Sequence, residues 1–276
     1  MKHVTKSDGS LQPFDTGKVR RTLRNMGVSA KEADRIADEI EESVPDGVPT
    51  SAVFRRIRAQ ASAVRPAVRH RTNLRRALSL LRPKPDFEEF VRVLLRENGY
   101  RVRTGCVLAG RCGEHEVDAI ATKDGTTIFV EVKHHVSQRR VTGLDESRIA
   151  RAIIEDLQEG FRMERCPVSI DGALIVCNTR LSEHAKRYAS CRGIGHIGWD
   201  YPEGRNLQTM IEETQSYPVT IVAGLTRPVS AGLAAAGVVT AKQIAYGDAG
   251  TIAHDTGIPL KEVLLIAERA RATLEP

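Results

Sequence analysis

Hydrophobic spacing divides the chain into three stretches of different character. In the first, Val19, Leu23 and Met26 recur at helical spacing behind Asp15, a residue type that caps helix N-termini, which predicts a helix over Lys18–Met26. A second helix opens at Ser29 and runs to about Val44. Ala33, Ile36, Ala37 and Ile40 fall on its inner face, and Glu32, Asp34, Asp38, Glu39, Glu41 and Glu42 on its outer one. Pro45-Asp46-Gly47 ends it. Thr50 is expected to cap a third helix carrying Val53 and Ile57. Pro66 interrupts the pattern, and a further helical run continues through Leu80. With a short extended lead at Val4-Thr5-Lys6 and a turn at Ser7-Asp8-Gly9-Ser10, residues 1–81 read as a mostly helical domain.

The second stretch mixes two periods. Arg82-Pro83-Lys84-Pro85 is a stiff linker, because neither proline continues a helix. Asp86 is expected to cap a helix with the stripe Phe87, Phe90, Val91, Leu94 and Leu95, stopped by Asn98-Gly99. Glu116–Lys123 and Thr126–Lys133 then alternate with period two around Asp124-Gly125, a strong two-residue hairpin signal. The turn fixes the register. Counting outward, Lys123 faces Thr126, Ala121 faces Ile128, Asp118 faces Glu131 and Glu116 faces Lys133. A helix over Asp145–Phe161, a strand over Gly172–Cys177, a helix over Leu181–Cys191 and a last strand at Ile194–Trp199 complete an α/β domain over 86–202. From about Tyr217 to the end, 217–276, short helices alternate with glycine turns at Gly237 and Gly257, which predicts a small all-α domain.

Composition narrows the function. The longest wholly apolar or glycine run is the nine residues Ala231–Val239, short of the ~18 that a membrane span needs. The opening Met1–Lys6 has no apolar core of a signal peptide. Five cysteines with no C-x-x-C pair fit neither a disulfide framework nor a zinc ribbon. A cytoplasmic protein with no membrane partner is expected. Aromatics are 4%, which argues against reading nucleic acid by base stacking. The net charge is +6, yet residues 55–84 hold nine Arg and one Lys with no acid, so the rest of the chain carries −4. That basic segment fits contact with phosphates, and equally a solvated helix near a domain junction.

The hairpin holds the chemistry. Two carboxylates directly opposite on a sheet lie ~5 Å apart and repel. A divalent cation between Asp118 and Glu131 reverses that sign, and hard oxygen donors suit Mg2+ or Mn2+ rather than zinc. Lys133 could hold an attacking water or meet a phosphate, which is chemistry for metal-assisted phosphodiester hydrolysis. The same pattern also fits a hairpin with a solvated polar face and an ordinary Glu116–Lys133 pair. His115 and the pair His134-His135 read as surface groups or proton carriers. Cys106, Cys112, Cys177 and Cys191 read as small thiols rather than a zinc set, and Asn178-Thr179-Arg180 as a strand end able to meet phosphate.

Three resemblances sharpen the reading. Val4-x-Lys6-x-Asp8-Gly9, Pro13-Phe14-Asp15 and Lys18-Val19 resemble the ATP-cone domain, the regulatory module of ribonucleotide reductases and their repressors. That implies binding of ATP or dATP without a Walker loop. Lys6 and Lys18 would meet phosphates with Arg20 or Arg21 nearby, and Gln12 stands where the family often has an acid. Glu116-Val117-Asp118 and Val130-Glu131-Val132-Lys133 resemble the P-D-(D/E)-x-K nucleases, specifically Mrr-like type IV restriction endonucleases, over about Asp86–Pro202. The usual Pro-Asp is Val117-Asp118 here. Such enzymes often add a carboxylate from the first helix. Glu88 borders the buried stripe while Glu89 points with Arg92 and Arg96 to solvent, which favours Glu88. The C-terminal stretch is similar to tandem helix-hairpin-helix modules, which meet DNA phosphates or pack against protein.

The expected fold class is α/β: a mostly helical N-terminal domain, a central restriction-endonuclease-like sandwich with a mixed sheet, and a small all-α C-terminal domain. The expected function is a Mg2+-dependent DNA endonuclease under adenine-nucleotide control. Asp118 and Glu131 would bind metal, Glu88 would assist, and Lys133 would position the nucleophile or stabilise charge. One hydrolytic site per chain makes a homo-oligomer, dimer or higher, the natural route to cutting both strands. The alternative is a nucleotide-responsive DNA-binding regulator that uses the nuclease fold as a scaffold without catalysis.

Overall fold

A computed structural model describes residues 2–6, 8–65, 68 and 73–274. The N-terminal unit begins with β1 (His3–Thr5), which pairs antiparallel with β2 (Leu11–Pro13) and parallel with β3 (Val48–Pro49). Helices α1 (Thr16–Asn25), α2 (Ala30–Ser43) and α3 (Thr50–Val64) close its core around Leu23, Ile36, Ile40 and Ile57. The caps follow the sequence: Asp15 accepts from Lys18 N, and Ser29 from Glu32 N. Thr50 departs from it. Pro49 takes the cap position, and the Thr50 hydroxyl donates to Thr5 O, tying α3 to β1. Pro66 lies outside the described residues.

Helix α4 (Leu74–Leu80) changes the expected boundary at residue 81. Its Leu78, with the adjoining Leu81, packs into the central core, Ala77 packs into the C-terminal core, and Thr220 donates to Ala77 O. By packing, this helix belongs with the two later units rather than with the first.

The central unit holds α5 (Glu88–Glu97), β4 (Arg101–Ala109), β5 (Glu114–Lys123), β6 (Thr126–Lys133), β7 (Val141–Thr142), α6 (Leu144–Arg162), β8 (Gly172–Cys177), β9 (Arg180–Leu181), α7 (Glu183–Arg192) and β10 (Gly195–Ile197). Five strands form a mixed sheet in the order β10-β8-β6-β5-β4, antiparallel from β4 to β6 and parallel from β6 to β10. The sheet buries both faces. On one, Phe87, Phe90 and Leu94 of the α5 stripe meet Ala119, Ala121 and Val130. On the other, Ile154 and Leu157 of α6 meet Ile120, Phe129 and Ile175. Fully burying one such large apolar side chain stabilises by about 1.5–3 kcal/mol, so the two layers fix the sheet firmly.

Asp86 does not cap α5 as expected. It is buried and accepts from Arg82 Nε and Nη2 at 2.9 and 2.7 Å, and the helix start carries no side-chain cap. A buried carboxylate needs a charged partner more than a helix end needs a cap, and Arg82 is four residues away.

Helix α8 (Leu207–Thr214) packs Leu207, Met210 and Ile211 into the α5 side of the central core, and the C-terminal unit that follows is all helical: α9 (Arg227–Ala235), α10 (Ala241–Tyr246), α11 (Ala249–Thr256) and α12 (Leu260–Leu274), with turns at Gly237 and Gly257. Among the described residues no helix is long and apolar enough to cross a membrane.

Candidate active site

The site forms where the hairpin opens. Strands β5 and β6 keep the predicted register from Lys123↔Thr126 to Ala119↔Val130, and there the pairing stops. Past that point β6 stays with β8 through Lys133↔Cys177, while β5 stays with β4 through Glu114↔Ala109. Asp118 and Glu131 are the first residues beyond the last rung. The Val132 amide no longer bonds into a β5 ladder and donates to the Asp118 carboxylate at 2.7 Å. The expected Glu116–Lys133 cross-strand pair therefore does not form.

Two features, one on β5 and one on β4, coincide with the opening. Its alternation breaks at Asp118: Val117 and Ile120 both enter the α6-side core, while Ala119 and Ala121 enter the α5-side core. Opposite Asp118 stands Gly105, where a Cβ would lie 2.4 Å from Val117 O and 2.8 Å from Asp118 O. Only glycine permits this close approach of backbones.

Charged side chains gather on both sides of the opening. From α5, Glu88 lies against Asp118. Burial, then the Asp118 charge, pushes the Glu88 carboxyl above the usual carboxylate range. Arg92, one turn on, is 7% exposed, donates to Asp118 O at 3.0 Å and pairs with Glu89 at 2.7 Å. It clamps α5 to β5, so the expectation that Arg92 points to solvent is corrected. Glu89 is the residue that holds it and Arg96 in ion pairs. On the α6 side, Lys133 Nζ lies 2.8 Å from Glu131 and 3.1 Å from Glu146. Burial raises the Glu131 carboxyl despite the pull of Lys133. Burial lowers Lys133, but its two carboxylate partners more than offset that, and the ammonium is held above its ordinary value.

Lys84, read as part of a plain linker, reaches into the same place. Its Nζ is 3.2 Å from Glu88, 3.3 Å from Glu116 and 3.5 Å from Asp118. The cleft bounded by Glu88, Arg92, Thr104, Gly105, Glu116 and Asp118 has a volume of about 320 Å3. Sequence reasoning also missed Glu146. Helical spacing would have placed it in the first turn of α6, but nothing local says that this turn stands over β6. The carboxylates supply hard oxygen donors, which suits Mg2+ or Mn2+. Among the described residues they are not already drawn together as a three-ligand cluster, and each is paired with Lys84 or Lys133.

Other residues singled out from sequence go elsewhere. His134 packs on Phe87 with ring centroids 5.0 Å apart and bonds to Leu78 O at 2.9 Å, so it fastens α4 rather than lying on the surface. His135 and Asn178 exchange backbone and amide hydrogen bonds, which takes Asn178 out of reach of a phosphate. His115, near the start of β5, bonds to Asp156 of α6 at 2.8 Å. In the N-terminal unit, Lys18 is largely exposed, with Asp15 3.5 Å away, and Arg21 is exposed. Lys6 heads the turn after β1, and Arg20 is held by Asp34 at 3.3 Å and Asp38 at 2.7 Å.

Comparison with known proteins agrees with this layout. The ATP cone domain family matches residues 2–72 and the Mrr-type restriction endonuclease catalytic family matches residues 82–197. An uncharacterized protein of Archaeoglobus fulgidus is 32% identical over 182 residues, covering 66% of this chain and 94% of the relative. The crystal structure of a protein of unknown function superposes with a TM-score of 0.59 at 28% identity, over 68% of this chain and 96% of the other. The chain thus belongs to the family of the Archaeoglobus fulgidus protein and joins an ATP-cone domain to an Mrr-type restriction endonuclease domain.

Proposed function

We propose that the chain is a metal-dependent endodeoxyribonuclease under adenine-nucleotide control. The observation that carries this is the opening of β5 and β6 at Asp118 and Glu131, with Glu88 across the gap and Lys133 on the same strand as Glu131. A scaffold gains nothing from burying facing carboxylates, whose repulsion costs stability.

Asp118 and Glu131 are the proposed metal ligands, with Glu88 beside Asp118. A bound Mg2+ or Mn2+ would lower the pKa of a water and offset charge on the phosphate. Lys133, fixed between Glu131 and Glu146, would hold the attacking water or the non-bridging phosphate oxygen. Arg92 keeps α5, and therefore Glu88, in place. In the N-terminal unit Lys6 and Lys18 would take the phosphates of ATP or dATP, with Arg21 nearby; Arg20, tied to α2, would steady that helix pair. Pairing of two chains would supply two hydrolytic sites for the two strands. The test is incubation of supercoiled plasmid with purified protein and Mg2+, Mn2+ or chelator, with and without ATP or dATP. Nicked or linear product only with the cation supports the reading. Intact plasmid under every condition, over varied DNAs, removes it.

A further inference from the structure

The loop that carries Lys84 is fastened on either side of that residue. Arg82 grips the buried Asp86 through both Nε and Nη2, and its Nη2 also reaches Ala231 O at 3.4 Å, on α9. Lys84 sits between these anchors in an extended conformation (φ −124°, ψ 136°), flanked by Pro83 and Pro85. The backbone therefore delivers one ammonium to one place. There it meets carboxylate oxygens of Glu88, Glu116 and Asp118 at 3.2, 3.3 and 3.5 Å. Two of these three belong to the donor set proposed above. Three carboxylate oxygens, one from α5 and two from β5, thus converge on a single ammonium.

We infer that Lys84 is a tethered counter-ion of the metal-free cleft, competing with the divalent cation for the carboxylates and leaving them when it binds. The inference rests on the metal-dependent reading of the site. Without a cation, Glu88 and Asp118 lie close together with like charge, and Lys84 offsets that repulsion. With the cation bound, an ammonium at the same oxygens would face a like charge at short range, so the two cannot share them. The side chain has a way out: it is 62% exposed, so its head can move into water while the stapled backbone stays. The displaced ammonium then stands at the mouth of the cleft.

The test uses the full chain and Mn2+ as the probe, with binding read by electron paramagnetic resonance of free Mn2+. Lys84→Gln should bind Mn2+ about twofold to fivefold more tightly than wild type, the range that removal of a partly exposed competing ion pair allows. Lys84→Arg, which keeps the charge, should stay near wild type. In chelator, Lys84→Gln should melt lower than wild type, and saturating Mn2+ should raise its Tm by more. Equal or weaker Mn2+ binding by Lys84→Gln overturns the inference. If that occurs while Asp118→Asn loses Mn2+, the metal reading stands and only the role of Lys84 falls. If no form of the protein binds Mn2+, both fall.

Discussion

The central cleft and the N-terminal unit handle their charges in opposite ways. Around the opening, Asp118 is buried and Glu88, Glu131 and Lys133 are partly buried, and burial or charged partners alter the proton affinity of the last three. In the N-terminal unit, Lys18 and Arg21 remain in solvent, and Arg20 is tied to the acidic face of α2. The contrast fits two tasks. Hydrolysis needs charges fixed before the substrate arrives, because reorganisation during the reaction raises the barrier. A reversible sensor can leave its cations hydrated and gain affinity only when phosphate replaces water.

The largest effect should come from the cleft. Asp118→Ala or Glu131→Ala should lower the cleavage rate roughly a thousandfold, since a metal ion supplies several kcal/mol of charge stabilisation and about 1.36 kcal/mol is tenfold. Circular dichroism should show the fold retained. A rate within tenfold of wild type for both variants would place the chemistry elsewhere and erase the contrast between the regions.

Gly105→Ala should follow in size. Its Cβ would meet the Val117 carbonyl at 2.4 Å, so β4 must shift away from β5. A stability loss of about 1–3 kcal/mol by chemical denaturation is expected, together with slower cleavage because Asp118 moves with its backbone. An unchanged midpoint would mean that the opening does not depend on this close approach.

In the sensor, Lys6→Ala and Lys18→Ala should each weaken ATP or dATP binding by about tenfold, the size of one charge-assisted hydrogen bond. Basal cleavage without nucleotide should not change. Calorimetry that finds wild-type affinity in both variants would move the nucleotide site away from α1.

The smallest effect is a shift in pH dependence. Glu88 and Glu131 hold their protons above the ordinary 4.5. In the metal-free protein, the stability that these protonated forms contribute is complete below that value and is lost as pH rises through the raised ones. Cation binding needs the ionised forms, so the acid limb of Mn2+ affinity should lie above the ordinary carboxylate range. Glu88→Gln should move that limb downward. A limb unmoved by Glu88→Gln would show that this carboxyl does not titrate with cation binding.

The sequence made much of the cleft readable. Asp124-Gly125 alone set the register that brings Asp118 and Glu131 to the same level, and the α5 stripe separated Glu88 from Glu89. What stayed hidden was non-local. No period in β5 announces that its pairing with β6 ends at Ala119, beside the close approach of Asp118 to Gly105, thirteen residues before Asp118 on another strand. Strand β4 itself was obscured because it is an edge strand with most positions exposed, so its pattern carries little contrast. Lys84 looked like punctuation between prolines. Its reach of more than thirty residues along the chain to Glu116 and Asp118 follows from packing, as does the buried position of Arg92. Proximity in sequence joins helix α4 to the first unit, whereas its Leu74, Ala77 and Leu78 fit the cores that follow it.

The most direct test of catalysis against scaffolding compares wild type with Asp118→Asn on one labelled duplex, following DNA binding by anisotropy and strand cleavage in the same Mg2+-containing samples. A nuclease with its reaction centre at the opening of β5 and β6 predicts that wild type binds and cuts, while Asp118→Asn binds with similar affinity and does not cut. Binding without cutting by both proteins, over varied DNAs and in the presence of ATP or dATP, would contradict it and leave a DNA-binding regulator.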